Sequence, residues 1–263
     1  MSSTKNLQAS WYDFPHYYDI AFRSESPREA DFIEAACRKY CPFPVRTLFE
    51  PACGTGRLVV EMAARGYRTT GLDLSRPALD YCRQRLAQKK LKARLIEGDM
   101  TDFRLGKPID AAFCTFNSFR HLLEEEQAKR HLECVVETLR PGGIYILGFH
   151  LLPPDADLAC IERWTEKLGR TQVTTTLRVL SSDRRRRLEN LRVSVLARSG
   201  GKETRLRTEF PLRLYTAAQF RSLLKKVPAF ELCDVYDFWY EIDEPLKFDN
   251  ELGDAVFVLK KRG

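Results

Sequence analysis

The sequence predicts a doubly wound α/β domain, with a mostly parallel sheet and a small antiparallel β cap inserted after the fifth strand. Two observations predict this fold. Strand-like and helix-like segments alternate over the first 150 residues, and after Pro153 and Pro154 the apolar residues change to a two-residue period. The 263 residues, 44% of them hydrophobic, are enough for one large domain with a buried core.

Five short apolar segments are predicted as the strands of the parallel sheet, at residues 45–50, 67–73, 93–97, 109–115 and 144–149. Helical spacing of apolar residues predicts helices between them, at residues 56–65, 77–89 and 124–139. Ser75 is placed to cap the second of these helices. Because strands alternate with helices, we expect parallel strands with helices on both faces.

An antiparallel sheet with one apolar face is predicted next, from alternating runs at residues 173–179, 191–197 and 206–214. Gly200-Gly201 predicts a tight turn between the last two runs. A helix and two strands complete the chain, at residues 216–226, 231–236 and 255–260. The predicted division is an N-terminal helical segment, a core in two parts and a cap insertion, at residues 1–40, 41–155 with 216–263, and 156–215.

The net charge of +7 is concentrated in the predicted cap. Residues 161–213 hold 14 Lys and Arg against 6 Asp and Glu, and Arg184 to Arg187 are the densest point. At a hairpin tip such a run is either a solvated turn or a clamp for an anionic substrate or RNA. Aromatic residues do not interleave these arginines, which weakens the case for single-stranded nucleic acid.

The cellular setting is predicted from features that the sequence lacks. It contains no apolar run of about 18 residues, and residues 1–10 show no secretory signal. Its eight cysteines are scattered; Cys37 and Cys41 offer two zinc ligands, but no second pair stands nearby. We therefore expect a cytoplasmic protein with reduced thiols, no membrane partner and no metal.

The strongest motif is Glu-Pro-Ala-Cys-Gly-Thr-Gly-Arg at residues 50–57, between a predicted strand and a predicted helix. Glycines there let a ligand approach the backbone, and the helix N-terminus offers free N–H groups. A dinucleotide fingerprint needs a third glycine where Val59 stands, and a Walker loop needs a Gly-Lys-Ser/Thr sequence that is absent. The segment instead resembles motif I of class I S-adenosylmethionine-dependent methyltransferases, with Ala52 where the family usually has glycine.

Two acidic positions extend the resemblance in register. Gly-Leu-Asp-Leu-Ser places Asp73, followed by Leu74, at the end of the second strand, where a carboxylate can accept both hydroxyls of a ribose. Glu-Gly-Asp-Met after the third strand is similar to the adenine site of the family. This similarity implies that Asp99 accepts from the exocyclic amine and that Met100 packs on the ring.

Three further segments resemble the same family. Phe116 and Asn117 stand at the end of the fourth strand as in motif IV, and residues 139–143 are similar to the turn into the fifth strand. Near the N-terminus, residues 17–23 resemble a tyrosine-bearing segment of sugar N,N-dimethyltransferases. The resemblance implies that Tyr18 closes over the cofactor with the N-terminal segment.

The resemblance implies a Rossmann-like fold and a small-molecule methyltransferase. The expected cofactor is S-adenosylmethionine, which becomes S-adenosylhomocysteine, and the acceptor is a nitrogen or oxygen of a small molecule, anionic molecules included. The residues expected to bind the cofactor are Tyr18, Glu50, Ala52, Gly54, Gly56, Asp73, Leu74, Asp99, Met100, Phe116 and Asn117.

His121 is the candidate catalytic residue, because a neutral imidazole after the fourth strand can act as a general base where substrates approach. The alternative for His121 is a helix-start histidine packed against solvent. His150, at the end of the fifth strand, is a second candidate for the catalytic role. Two rival functions use the same motifs. One is an RNA-modifying methyltransferase that uses the basic cap; the other is a module that binds the cofactor without turnover. The acceptor and the oligomeric state stay open.

Overall fold

The computed structural model describes residues 11–157 and 159–263, and the backbone of a strand β1 at Thr4–Leu7. These residues form two sheets with helices packed around the larger one. The larger sheet contains seven strands: β2 (Thr47–Pro51), β3 (Arg68–Asp73), β4 (Arg94–Glu97), β5 (Ile109–Cys114), β6 (Leu139–His150), β11 (Phe230–Tyr236) and β12 (Asp254–Lys261). The remaining strands belong to the cap.

The strand order of the larger sheet is β11-β12-β6-β5-β2-β3-β4. The pairings from β6 to β4 are parallel, and β12 runs antiparallel to both of its neighbours. The order reverses between β2 and β5, and a reversal of this kind opens a crevice at the carboxyl ends of the strands. The predicted doubly wound, mostly parallel sheet is confirmed.

Of the six α-helices in the described part of the chain, the first packs against the cap and the other five cover the two faces of this sheet. The six helices are α1 (Pro15–Phe22), α2 (Ser26–Tyr40), α3 (Arg57–Ala64), α4 (Arg76–Gln88), α5 (Glu125–Thr138) and α6 (Ala217–Lys225). Helices α5 and α6 bury one set of core residues, and α2 and α3 bury another on the opposite face. The Ser75 hydroxyl caps α4 as predicted, by accepting a hydrogen bond from Ala78 N. None of the described helices is long and apolar enough to cross a membrane.

The cap is a second sheet that contains β7 (Ile161–Leu168), β8 (Thr171–Asp183), β9 (Leu188–Ser199) and β10 (Lys202–Arg213). These four strands pair antiparallel, and β1 adds to the edge of β10 in parallel. The inner face packs Val173, Val193 and Leu206 against Trp11 and Phe22. The N-terminal residues therefore lie between the cap and the parallel sheet.

The structure contains one strand in the cap and one in the N-terminal segment that were not predicted. The alternating pattern revealed three strands and missed β7, which pairs on one side only and is mostly exposed. Residues 1–40 were expected to be helical, but Thr4–Leu7 is a strand. Its conformation depends on the unpaired edge of β10, which local sequence does not reveal. The division of the chain into these segments stays a prediction.

The start of β6 is also earlier than predicted. Residues 139–143 were expected to form a turn, but β6 begins at Leu139, which pairs with Ile109. The pairing changes register between Ile109 and Ala111, and Gly142 has a φ of +78°. This irregularity lets the Pro-Gly-Gly sequence remain in the sheet.

Candidate functional site

A cavity of about 1010 Å³ opens at the carboxyl edge of the parallel strands, beneath the cap. One end is lined by the loop after β2 and by the ends of β3 and β4, and we call it the loop end. The other is lined by the ends of β5 and β6 and by the inner face of the cap, and we call it the cap end. The predicted site residues that line the cavity are Tyr18, Ala52, Gly54, Asp73, Leu74, Met100, Phe116, Asn117 and His121.

The loop end is organised by Asp73 at the end of β3. Its two carboxylate oxygens accept hydrogen bonds from Gly54 N at 2.7 Å and from Ser75 N at 2.8 Å. Burial raises the pKa of this carboxyl, and the two backbone N–H groups oppose the rise by stabilising the charge. A Cβ built on Gly54 would meet no atom within 4 Å, so the loop leaves open space on the cavity side.

Gly56 does not line the cavity, although it belongs to the same motif. A Cβ on Gly56 would overlap the Cys82 sulfur, and the φ of this residue is +68°. Gly56 therefore lets α3 pack closely against α4. A cofactor contact at Gly56 stays a prediction without support from the cavity lining.

Leu74 and Met100 form the apolar part of the loop end. The Leu74 side chain is largely exposed, which leaves its apolar surface available to cover a ligand ring. Met100 O is 2.8 Å from His131 Nδ1, and His131 Nε2 is 2.8 Å from the Tyr145 hydroxyl. This buried network fixes the backbone at Met100.

Asp99 precedes Met100 but lies outside the cavity lining. Its side chain is exposed, and Oδ1 accepts hydrogen bonds from the backbone N and hydroxyl of Thr101. The carboxylate therefore stabilises the local turn. Its expected contact with the exocyclic amine of adenine stays a prediction.

Two buried oxygens at the loop end lack a hydrogen-bond partner among the described residues. They are Glu50 Oε2 and Thr55 Oγ1. Thr55 lines the cavity, whereas Glu50 lies behind the lining. Burial raises the pKa of Glu50 well above its ordinary value, while Arg57 lowers it. Buried oxygens without partners fit a ligand that brings hydrogen-bond donors.

Tyr18 lies in an aromatic cluster that closes one wall of the cavity. Its ring centroid is 4.9 Å from those of Trp11 and Phe22, and burial raises the pKa of its hydroxyl to about 12. The adjacent Asp19 is fully buried and pairs with Arg23 and Arg85. This ion-pair network joins α1 to α4, so Tyr18 occupies a fixed position over the cavity.

At the cap end, Asn117 connects the ends of β5 and β6. Its φ is +55°, and its side-chain oxygen accepts a hydrogen bond from His150 N at 3.0 Å. His150 Nδ1 lies 2.7 Å from Asp254 Oδ1, and both of these residues line the cavity. Asn117 therefore positions the backbone that carries His150.

His121 lies on the cavity wall beside Tyr12. The Tyr12 hydroxyl is 3.2 Å from His121 Nε2, and the ring of Phe210 lies 5.3 Å away. Partial burial in this wall lowers the pKa of His121 to about 4, with a further contribution from Arg120. The ring remains accessible from the cavity. The imidazole is therefore uncharged at neutral pH.

The charged side chains of the cap end are mainly acidic. Asp157, Glu162 and Asp254 line it, and all three are exposed. Arg120 also lines it, but its guanidinium pairs with Glu189 and donates to Arg213 O at 2.8 Å. Arg184 to Arg187 are not among the described lining residues. The cap end therefore favours a positively charged or neutral ligand over an anion.

The sequence motifs missed several residues of the site. Trp11, Tyr12, Glu189 and Asp254 line the cavity, but none lies in a motif. Each reaches the site through strand pairing or packing with a distant segment. Thr55 also lines the cavity, and its position between Gly54 and Gly56 in the glycine motif is the sequence signal that points to it.

The part of the chain that carries the glycine loop and the parallel sheet matches a known protein family. Residues 49–143 match the family described as a methyltransferase domain. The strand order, the glycine loop after β2 and the carboxylate at the end of β3 agree with this match. Residues 49–143 therefore form a methyltransferase domain, and the fold around them agrees with that of the class I S-adenosylmethionine-dependent methyltransferases.

Two relatives with similar sequences have names that state an enzymatic activity. A dTDP-3-amino-3,4,6-trideoxy-alpha-D-glucopyranose N,N-dimethyltransferase of Streptomyces venezuelae is 35% identical over 138 residues, which are 51% of this chain and 56% of that protein. A dTDP-3-amino-3,6-dideoxy-alpha-D-glucopyranose N,N-dimethyltransferase of Streptomyces fradiae is 29% identical over 177 residues, 66% of this chain and 68% of that protein. The chain thus spans between about half and two thirds of the length of these relatives.

A solved structure shares the fold over most of the chain. The crystal structure of an S-adenosylmethionine-dependent methyltransferase from Clostridium acetobutylicum superposes with a TM-score of 0.78 and 20% identity. The superposition covers 96% of this chain and 99% of that one. The antiparallel cap after the fifth parallel strand is therefore part of a fold that other methyltransferases share.

Proposed function

We propose that this protein transfers a methyl group from S-adenosylmethionine to an amine nitrogen of a small molecule, with an amino sugar as the acceptor class. The observation that carries the proposal is the shape and charge of the cavity, which runs from the glycine loop to an acid-lined cap end. The amino-sugar class comes from the printed activities of the two Streptomyces relatives.

The loop end fits the cofactor. Asp73 offers carboxylate lone pairs for the ribose, and Leu74 and Met100 offer apolar surface for the adenine. The unpartnered Thr55 Oγ1, which belongs to a lining residue, suits the ammonium group of the methionine part, and a contact of Glu50 with the cofactor stays a prediction. When bound, S-adenosylmethionine supplies a methyl group on a positively charged sulfur. Tyr18 and Trp11 form part of the cavity wall.

His121 and Tyr12 orient the acceptor in this scheme. Because the pKa of His121 is lowered to about 4 and burial raises that of Tyr12, both groups are uncharged at neutral pH. An uncharged hydroxyl–imidazole pair can hold an amine by hydrogen bonds without binding its proton permanently. Holding the amine in line with the methyl group provides a large part of the catalysis.

The acid-lined cap end supports an amine over an oxygen acceptor. Asp157, Glu162 and Asp254 attract an ammonium group as it enters the cavity. An anionic acceptor was also expected from the sequence, but the described lining of the cap end offers only Arg120, which is already paired with Glu189. A nucleotide-linked sugar would therefore place its phosphates outside the cavity.

The test uses three acceptors that differ by one feature at a time. They are a dTDP-linked 3-amino-3,6-dideoxyglucose, the dTDP-linked 3-hydroxy analogue and the free 3-amino sugar. Mass spectrometry should detect methylated product from both amines and none from the hydroxy analogue. Methylation of the hydroxy analogue alone, or binding of S-adenosylhomocysteine without turnover of either amine, would overturn the proposal.

The two rival functions are not favoured. Two relatives are named as N,N-dimethyltransferases of dTDP-linked amino sugars, and the inner face of the cap forms one wall of the cavity. The basic side chains of the cap concentrate on the face of its sheet that points away from the cavity. Arg178 on β8 and Arg192 on β9 stand opposite each other on that face. A module without turnover is not favoured either, because a cavity of about 1010 Å³ leaves room for an acceptor beside the cofactor.

A further inference from the structure

His150 and Asp254 form a side-chain pair whose position is set by the sheet. They stand directly opposite each other where β6 pairs antiparallel with β12. His150 Nδ1 lies 2.7 Å from Asp254 Oδ1, and both residues line the cap end of the cavity. Two hydrogen-bonded strands therefore hold the imidazole and the carboxylate in one arrangement.

Neighbouring groups orient the imidazole ring. Asn117 Oδ1 accepts a hydrogen bond from His150 N. The rings of Phe116 and Phe238 meet the imidazole edge-on, with centroids 6.0 Å and 5.1 Å away. When Nδ1–H donates to Asp254, the lone pair lies on Nε2, and this nitrogen can accept a proton.

An amine acceptor must lose a proton before it can react. An aliphatic amine is mostly protonated near pH 7, because its pKa is about 10, and an ammonium nitrogen has no lone pair with which to attack a methyl group. His121 is poorly suited to take that proton, since its pKa is lowered to about 4 and Tyr12 occupies its Nε2. Asp254 instead places a negative charge beside the imidazolium that His150 would form.

We propose that His150, positioned by Asp254, is the general base that removes a proton from the acceptor ammonium, an inference that rests on the proposed methyl transfer to an amine. The N–H bond of the ammonium breaks, its electron pair remains on nitrogen, and the proton bonds to His150 Nε2. The imidazolium then pairs with Asp254. Because the His150 side chain is 37% exposed, the proton can leave to water.

The first test measures turnover of the amine probes named above. His150→Ala should lower kcat by about 10²–10⁴-fold and leave the affinity for S-adenosylhomocysteine unchanged. Added imidazole should restore part of kcat, because it can fill the space and accept the proton. The matched control is His16→Ala, which removes an exposed histidine of α1 outside the cavity lining. A kcat near the wild-type value, or a loss that imidazole does not restore, would overturn the proposal.

The second test needs no acceptor. Nitrogen NMR of the complex with S-adenosylhomocysteine should show His150 with its proton on Nδ1, and Asp254→Asn should abolish this preference. The same variant should lower kcat more than it changes KM, whereas the control Asp243→Asn, at an exposed position, should change neither. A proton on Nε2 in the wild-type complex would refute the proposal, because that nitrogen could then accept nothing.

The two tests separate this inference from the proposed function. If no amine is methylated, the proposed function fails whatever the tautomer of His150. If amines are methylated and His150→Ala keeps its turnover, methyl transfer stands and the role of His150 fails.

Discussion

Gly54 and Gly56 have positive φ values of +52° and +68° in one loop, but their surroundings differ. Gly54→Ala should cost about 1–2 kcal/mol from backbone strain and should also weaken cofactor binding, because the new methyl group points into open space at the loop end. Gly56→Ala should add an overpacking cost of about 1–3 kcal/mol, because its methyl group overlaps the Cys82 sulfur.

Thermal unfolding with and without S-adenosylhomocysteine separates the two variants. Gly54→Ala should lose the ligand-induced rise in Tm, whereas Gly56→Ala should have a lower Tm in both conditions. Cys82→Ala in the Gly56→Ala background should recover part of the loss. Equal behaviour of the two single variants would contradict this distinction.

Asp73 combines a structural and a ligand-binding task in one carboxylate. Asp73→Ala removes the acceptor for Gly54 N and Ser75 N together with the proposed ribose acceptor. Affinity for S-adenosylhomocysteine should fall by about 1–3 kcal/mol, because hydrogen bonds to a charged group are lost. Calorimetric titration measures the change, and the exposed Asp102 provides the control Asp102→Ala. Unchanged affinity would remove Asp73 from the proposed site.

At the scale of elements, helix α1 is held over the cavity by the buried Asp19. Its carboxylate pairs with Arg85 at 2.8 Å and accepts from the Tyr81 hydroxyl at 3.1 Å, both on α4. Arg85 also donates to Thr55 O at 3.2 Å, so the network reaches the glycine loop. The covering helix and the loop are thus connected through one ion pair.

Asp19→Asn should release α1, because breaking a buried ion pair typically costs about 3–5 kcal/mol. We expect faster proteolysis of the N-terminal segment and weaker binding of S-adenosylhomocysteine. Limited proteolysis and calorimetry measure these effects. Asp31→Asn is the control, since Asp31 is largely exposed where it pairs with Arg65. Normal protease resistance of Asp19→Asn would show that the ion pair does not hold the helix.

The arginine run forms the turn between β8 and β9, and its last member differs from the others. Arg184 to Arg186 are exposed, whereas Arg187 is half-buried, pairs with Glu125 at 2.9 Å and lies over the Tyr215 ring. A triple variant in which serine replaces Arg184, Arg185 and Arg186 should therefore change the free energy of unfolding by less than about 0.5 kcal/mol.

Arg187→Ser should cost about 1–2 kcal/mol, because a desolvated cation–π contact and an ion pair are lost. Denaturant unfolding compares the two variants. Steady-state kinetics at low and high salt should give wild-type values for the triple serine variant. A higher KM with a flatter salt dependence would instead support the anionic clamp that the sequence left open.

At the scale of the whole molecule, stability should decrease in mild acid because of His131. This histidine is fully buried between Met100 O and the Tyr145 hydroxyl, and burial lowers its pKa from 6.5 to about 4. Between these two pH values the unfolded chain binds a proton that the folded chain does not. The free energy of unfolding is therefore not reduced by His131 above pH 6.5, and it falls as the pH decreases from 6.5 towards 4.

The contribution of His131 to this slope is at most about 1.4 kcal/mol per pH unit. His131→Gln should lower stability at pH 7 but should flatten its decrease between pH 6.5 and pH 4.5. Urea unfolding across this range measures the slope. A variant with the wild-type slope would show that His131 is not the group responsible.

The sequence by itself determined the features that depend on neighbouring residues. The glycine loop needs residues 50–57 in consecutive order, and the strands reveal themselves through apolar runs or a two-residue period. The parallel sheet, three of the cap strands and the carboxylate at the end of β3 were therefore predictable. The positive φ of Gly200 and Gly201 likewise agrees with the predicted tight turn.

Tertiary structure alone decided the contacts between distant residues. His150 and Asp254 are separated by 104 positions, and Arg120 and Glu189 by 69. The charge of the cap end depends on these pairings, because Arg120 is neutralised by a carboxylate that only the strand register brings to it. The packing role of Gly56 is decided in the same way by Cys82 on another helix. No local pattern contains this information, since each contact follows from how the strands pair and the helices pack.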